Sequence, residues 1–290
     1  MKVNSGQLFC FGLGYSSQEI AKVLVQSQHW RIVGTTRSSK KLEQIKNIPG
    51  QGVIWPGDNI KQELARATHW LISIPPVNGI DIVAEFLTQC LPECRHWPVK
   101  WIGYFSTTAV YGDHQGRWVN EETVVKPAGE RGKSRVNAEK KWISLSLELD
   151  VRLCIFRLAG IYGPNRGPVH QMKNRLKRKI IKEGQFFNRI HVQDIAGAVI
   201  KSIESDSAKG IFNICDDFPE RPDFIVDYTA KLLNINPPKG IKFEDAELSP
   251  MARSFYGESK RVSNSKLKKQ LGYKLKYPDY MQGFAELIRE

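Results

Sequence analysis

Carboxylates are in short supply in this chain, with 30 Asp and Glu against 43 Lys and Arg among 290 residues and a formal net charge of +13. Such an excess suits an anionic partner, whether nucleic acid, a membrane surface or a small molecule. Long apolar runs are missing, which excludes a bilayer-spanning helix. No small-residue cleavage site follows the short glycine-broken run Leu8–Gly14, so no signal peptide is expected and the cytoplasm is the default location. Cysteines are few, odd in number and far apart (Cys10, Cys90, Cys94, Cys154, Cys215), which argues against a disulfide framework. Cys90 and Cys94 stand one helical turn apart, but no His/Cys cluster lies near to complete a metal site, so no metal is expected. Zinc-finger, RRM and KH signatures are absent, so nucleic acid is not an expected partner. There is no internal repeat and no low-complexity segment.

What the chain does have is alternation. Composition is ordinary for a globular protein, 41% hydrophobic and 25% charged. Apolar strand-like runs at Gln7–Phe11, Arg31–Thr36, Gly52–Trp55, His69–Ile74, Val99–Ser106 and Val151–Leu158 are separated by helix-like segments at Ser17–Gln28, Ser38–Asn47, Lys61–Thr68, Gly79–Cys90 and Gly132–Leu149. Strands separated by helices of this length predict an α/β fold with a doubly wound parallel Rossmann sheet. Beyond Gly163 the rhythm changes. The basic run 173–182 has Leu176, Ile180 and Ile181 at helical spacing and predicts an amphipathic helix with a solvated basic face. Gln193–Ser205 predicts a helix and Gly210–Cys215 one more sheet strand. Residues 1–164, completed by about 191–216, are expected to form the nucleotide-binding domain. Residues 165–190 and 217–290 are expected to form a smaller, interleaved substrate-binding lobe.

Gly12-Leu-Gly14-Tyr-Ser-Ser17 joins the first strand to the first helix. A Rossmann phosphate loop belongs there: Gly12 permits the tight turn, and Gly14 lets the backbone approach a pyrophosphate at the helix N-terminus. Ser17 stands where the third glycine of G-x-G-x-x-G would be, and Tyr15 and Ser16 complete the loop. The second strand runs into Gly34-Thr-Thr-Arg-Ser-Ser-Lys40 and carries no carboxylate at its end. An NAD site places Asp or Glu there, which would repel a 2′-phosphate. Arg37 can instead grip that phosphate with its guanidinium fork, assisted by the hydroxyls of Thr36, Ser38 and Ser39. The expected cofactor is NADP(H).

The chain resembles the extended, atypical short-chain dehydrogenase/reductases, the NAD-dependent epimerase/dehydratase family. The glycine loop, Gly57-Asp58, Ser73-Ile-Pro-Pro76, Phe105-Ser-Thr-Thr-Ala-Val-Tyr-Gly112, Arg157-Leu-Ala-Gly-Ile-Tyr-Gly-Pro164, Arg189-Ile-His-Val-Gln-Asp194 and Phe212-Asn-Ile-Cys-Asp216 carry the resemblance together, over nearly the whole chain. It implies that Asp58 contacts the adenine and that Ile74, Pro75 and Pro76 line the cofactor. It implies that Thr107 is the catalytic Ser/Thr, with its hydroxyl at a substrate oxygen, and that Tyr111 is structural or contacts substrate. It further implies a homodimer through Gly79–Cys90 and Gly132–Leu149.

The resemblance has one departure. The acid/base Tyr-x-x-x-Lys of the family aligns with Arg131-Gly-Lys-Ser-Arg135, in the stretch Pro127–Arg135. Arg135 keeps a cation that can hold ribose hydroxyls. Arg131 cannot relay protons, because a guanidinium stays charged to pH above ~12. Together the two can clamp an anionic group. Two functions follow as expectations. One is an NADP(H)-binding oxidoreductase acting on a carbonyl or sugar-like substrate, with Thr107 polarising the oxygen and Tyr111 or water completing proton transfer. The other is a catalytically silent NADPH-sensing regulator.

Overall fold

The computed structural model describes residues 5–26, 29–45, 50–57 and 60–289. Its first half alternates as the sequence predicts: β1 (Gly6–Phe11), α1 (Tyr15–Gln26), β2 (Trp30–Thr36), α2 (Ser39–Ile45), β3 (Gln51–Ile54), α3 (Ile60–Arg66), β4 (His69–Ile72), α4 (Ile82–Gln89), α5 (Leu91–Cys94) and β5 (Trp101–Thr107). A short β6 (Trp118–Val119), the long α6 (Glu130–Glu148) and β7 (Arg152–Leu158) follow. Then come β8 (Gly160–Tyr162), α7 (Pro168–Lys173), β9 (Arg178–Ile181), β10 (Arg189–His191), α8 (Val192–Glu204) and β11 (Gly210–Ile214). The chain ends with α9 (Pro222–Leu232), β12 (Lys239–Lys242), α10 (Pro250–Tyr256), β13 (Arg261–Val262), α11 (Ser265–Lys269) and α12 (Tyr280–Arg289).

Seven strands form one parallel sheet in the order β11-β7-β5-β4-β1-β2-β3. Both faces are covered, so successive residues of a strand bury in opposite directions. Leu8 and Cys10 of β1 enter the core under α1 and α8, with Ile20, Phe156, Ile195 and Val199. Phe9 and Phe11 enter the other core, with Trp70, Leu87, Tyr104 and Trp142 of β4, α4, β5 and α6. The strand order reverses between β1 and β4. The crevice outside their carboxyl ends is where open α/β sheets bind ligands. All five cysteines are buried and free, which agrees with the packing role their positions suggest. No helix among the described residues is long and apolar enough to cross a membrane, and no His/Cys/Asp/Glu group among them could hold a metal.

Outside the main sheet, three pairs of short strands form among the described residues, β8 with β10, β9 with β12, and β6 with β13. Tyr162, Val169, Ile225, Tyr280, Phe284 and Leu287 make a small separate core there. The tail does not stay in that layer. Val262, Leu267, Leu271 and Leu275 return to the large core beneath β11.

The basic helix expected over 173–182 does not form. α7 ends at Lys173, Arg175 adopts a left-handed φ of 58°, and Arg178–Ile181 is strand β9. An L-residue in that conformation ends a helix. Pairing with β12 then takes over, burying Ile180. Nor is the basic face free: Lys179 pairs with Asp227, Arg178 donates to the Glu247 carbonyl and Lys182 to that of Tyr256.

Candidate functional site

The turn between β1 and α1 is fixed by its backbone. Gly12 has φ +93°, and a Cβ there would stand 2.7 Å from Ser73 Oγ. Its N–H donates to Thr35 Oγ1 at 2.8 Å, and that of Leu13 to the Thr35 carbonyl at 2.9 Å. The loop is thereby stitched to the end of β2, beside Thr36 and Arg37. On its other side Ser73 Oγ donates to the Gly12 carbonyl at 2.7 Å, and the Ile74 N–H donates to the Phe11 carbonyl at 3.2 Å. So Gly12, Gly14, Thr36 and Ile74, singled out separately along the chain, converge at the switch point. Pro75 and Pro76 follow Ile74 into the adjoining loop.

These residues fit a bound pyrophosphate. A Cβ on Gly14 would meet nothing within 4 Å, so backbone faces open space at the N-terminus of the 12-residue α1. The first N–H groups of a helix have no intrahelical acceptor. Ser16 and Ser17 are buried in that first turn, and Ser17 Oγ has no hydrogen-bond partner. Tyr15 Oη donates to the Pro164 carbonyl at 3.0 Å. Arg37 is exposed and makes no hydrogen bond or ion pair with a described residue, so its fork is available to a ligand. Ser38 Oγ accepts weakly from the Lys41 N–H at 3.4 Å. Asp58 lies outside the described residues.

From this loop a cleft of about 1110 Å³ runs to the second-half layer. Thr107 lines it at the end of β5, its Oγ1 accepting from the Ala109 N–H at 3.3 Å. Arg131 and Arg135 line it from the first turns of α6. Arg135 donates to Tyr104 Oη at 3.0 Å and to the Phe105 carbonyl, which holds it against β5. Arg131 lies over the Phe255 ring of α10, 5.3 Å from its centre. Burial, reinforced by the neighbouring Arg135 and Arg166 and opposed by Glu258, draws its pKa below the ordinary guanidinium value. A buried ion pair anchors this face of α6: Arg157 donates to Glu139 at 3.1 and 2.7 Å, and Ser106 Oγ donates to the same carboxylate.

Tyr111 does not reach the cleft, which corrects its expected part in proton transfer. It sits in a 3-10 turn (Thr108–Tyr111), fully buried, and its Oη donates to Asn213 Oδ1 at 2.7 Å. Burial pushes its pKa up to about 12. Its ring supports Arg157, 4.9 Å away. His191 is likewise structural: it caps α8 by accepting from the Gln193 N–H, between the rings of Tyr162 and Tyr277. Asp194 is buried and accepts the N–H groups of Lys276 and Tyr277, tying α8 to the tail.

Several cleft residues carried no signal in the sequence. Arg166 stacks over Tyr15 at 5.2 Å, which brings the second-half layer across the phosphate loop. Lys260, buried, donates to Glu258 at 2.6 Å and to the Gly112 carbonyl at 2.8 Å. Arg166 follows the Arg157–Pro164 motif by two residues, the one hint available. Lys260 lies far from any motif.

Residues 75–215 match the model of the NAD dependent epimerase/dehydratase family. A structure described as a functionally unknown conserved protein from Silicibacter pomeroyi DSS is 41% identical, covers 98% of both chains and superposes with a TM-score of 0.88. Protein YeeZ of Escherichia coli (strain K12) is 28% identical over 280 residues, 92% of this chain and 95% of that one. UDP-glucuronic acid 4-epimerase from Bacillus cereus, solved in complex with NAD, shares the fold at 15% identity, 98% coverage of each chain and a TM-score of 0.73. With its seven-stranded parallel sheet and a matched span holding Thr107, both α6 arginines and the β10–α8 motif, the chain is similar over residues 75–215 to the NAD dependent epimerase/dehydratase family.

Proposed function

We propose that this chain binds NADP(H) along the β1–β4 switch point, in the manner of the family's oxidoreductases, and an anionic small molecule in the adjoining cleft. The observation that carries the reading is the end of β2. It is stitched to the glycine loop through Thr35 and presents Arg37, with no carboxylate among Gly34–Lys40. A ribose 2′-phosphate placed there meets a guanidinium rather than an acid. In this reading the α1 N-terminus with Gly14, Ser16 and Ser17 holds the pyrophosphate, while Ile74, Pro75 and Pro76 flank the adenosine side. Arg135 stands at the nicotinamide ribose, and Thr107 donates to a substrate oxygen. Bound cofactor supplies or accepts hydride. The chain's own residues orient the partners and shield them from water.

Proton transfer distinguishes this chain from a relative using a phenol. Arg131 holds its protons near neutral pH, and Tyr111 is turned away on Asn213. Of the two donors expected, Tyr111 and water, this leaves water for turnover. The expected result is negligible NADPH oxidation with ordinary carbonyl compounds and nucleotide sugars. The double variant Arg131→Tyr with Arg135→Lys rebuilds the family pair, and is expected to keep NADPH binding and gain slight reductase activity. The arginine in place of the family's phenol also favours a second reading, a silent NADPH sensor. Rapid turnover by the wild type, lost in Thr107→Ala but indifferent to Arg131, would overturn the sensor and show a proton donor elsewhere.

A further inference from the structure

The cleft lining holds seven Lys and Arg side chains and one carboxylate, Glu258. Three of the cations have an acid beside them: Lys260 pairs with Glu258, Lys179 with Asp227, and Arg189 lies near the charge of Asp216; Arg178 is engaged by the Glu247 carbonyl. Arg131, Arg135 and Arg166 make no ion pair among the described residues, and the one acid whose charge reaches Arg131, Glu258, is itself paired with Lys260. Arg135 bonds only to neutral oxygens. Arg131 and Arg166 rest on the aromatic faces of Phe255 and Tyr15. A ring face orients a guanidinium fork without cancelling its charge.

The placement is specific. Arg131 and Arg135 are one helical turn apart on α6, so their side chains start about 5–6 Å from each other. Arg166 comes from the opposite wall, after β8. We propose that Arg131 and Arg166 form a binding site for an oxyanion group, carboxylate or phosphate, carried by the substrate close to its reacting carbon, with the charge of Arg135 adding to it from the nicotinamide-ribose end. The site occupies the ground where relatives keep a proton-relaying tyrosine. Its charge is matched to a fixed anion, because a guanidinium fork binds carboxylate or phosphate oxygens in pairs. Like-charge repulsion of Arg131 by Arg135 and Arg166 is relieved when the anion enters. The aromatic and aliphatic wall of Phe186, Phe187, Leu248 and Tyr256 is left to face the body of the same ligand. The substrate class is therefore a small acid or phosphate ester with an apolar flank. This deepens the cofactor reading above and rests on it for the position of the nicotinamide end.

The test is calorimetric titration of the full chain, saturated with NADP+, using sodium oxalate in one arm and methylphosphonate in the other. Wild type, Arg131→Gln, Arg166→Gln and the exposed control Arg95→Gln are compared, after NADP+ affinity has been measured for each. At least one probe is expected to saturate. Its affinity should fall about tenfold in both cleft variants, the loss of one charge-assisted contact, and stay unchanged in Arg95→Gln. Preference for oxalate assigns a carboxylate and preference for methylphosphonate a phosphate. No saturation by either probe, or equal affinity in all four proteins, overturns the proposal. So does an Arg131→Gln or Arg166→Gln variant that loses NADP+ affinity as much as probe affinity, since the arginines then serve the cofactor. If the wild type binds no NADP+, the cofactor reading fails by itself. The same titration without NADP+ then decides the oxyanion site.

Discussion

Gly12 is the residue on which the loop geometry turns. Its φ of +93° costs an L-side chain about 1–2 kcal/mol, and the added Cβ would press on Ser73 Oγ at 2.7 Å. Gly12→Ala is expected to lower urea-unfolding stability by roughly 1–3 kcal/mol and to weaken nucleotide binding, because the displaced Ser73 holds the Gly12 carbonyl. Unchanged stability and binding would show that the turn can adapt. His69 gives a pH signature. Burial first, then the charges of Arg152 and Lys100, lower its pKa from 6.5 to about 4. Its ring is packed by Trp30 and Trp101 and bonded to Thr68 Oγ1. The unfolded chain takes up this proton below pH about 6.5, the folded one only below about 4. Stability from neutral His69 is therefore present above the upper value and lost as pH falls to the lower, by on the order of 3 kcal/mol. His69→Gln should flatten the loss of stability across that window. Parallel curves for the two proteins would remove His69 as a cause. At this scale the sequence was legible where a residue's role is local. Gly12 and Gly14 lie at the strand–helix junction their spacing indicates, and Thr107, Arg131 and Arg135, singled out by the resemblance, line the cleft. Tyr111 was not, because a 3-10 turn swings it away from Thr107 into the core. Arg166 gains its place only through tertiary stacking on Tyr15.

Among the elements, α4 and α6 show how one capping residue joins two helices. Asp81 Oδ1 accepts the N–H groups of Val83 and Ala84, and its Oδ2 accepts Trp142 Nε1 from α6 at 3.0 Å. Asp81→Ala removes the cap and strands a buried indole N–H. The expected cost is about 2–4 kcal/mol, from ~1 for the cap and 1–3 for the orphaned donor. Asp81→Asn, able to accept at one oxygen only, should recover part of it. A loss below 0.5 kcal/mol, roughly the scatter of neutral surface changes, would mean that water replaces both contacts. The strands and helices of the first half were readable because apolar runs buried on both faces leave little ambiguity. The run 173–182 was misread because Leu176, Ile180 and Ile181 match helical spacing by chance. Arg175 in the left-handed region and pairing with β12 override that spacing, and neither is visible locally.

The whole molecule brings the glycine loop and three arginines without an ion pair into one cleft, so part of the +13 charge is concentrated there. The parallel sheet follows from the alternation of strands and helices along the sequence. The lining from β9, α10 and Lys260 does not, because it depends on how the second half folds back over α6. The central claim is that the end of β2 selects a phosphorylated dinucleotide. The direct measurement is calorimetric titration of NADPH and of NADH into wild type and Arg37→Ala. The wild type is expected to prefer NADPH. Arg37→Ala should lose about 1.5–3 kcal/mol of NADPH binding, the worth of a charge-assisted hydrogen bond, and leave NADH nearly unchanged. Equal losses for both cofactors, or a wild type that prefers NADH, would contradict the account.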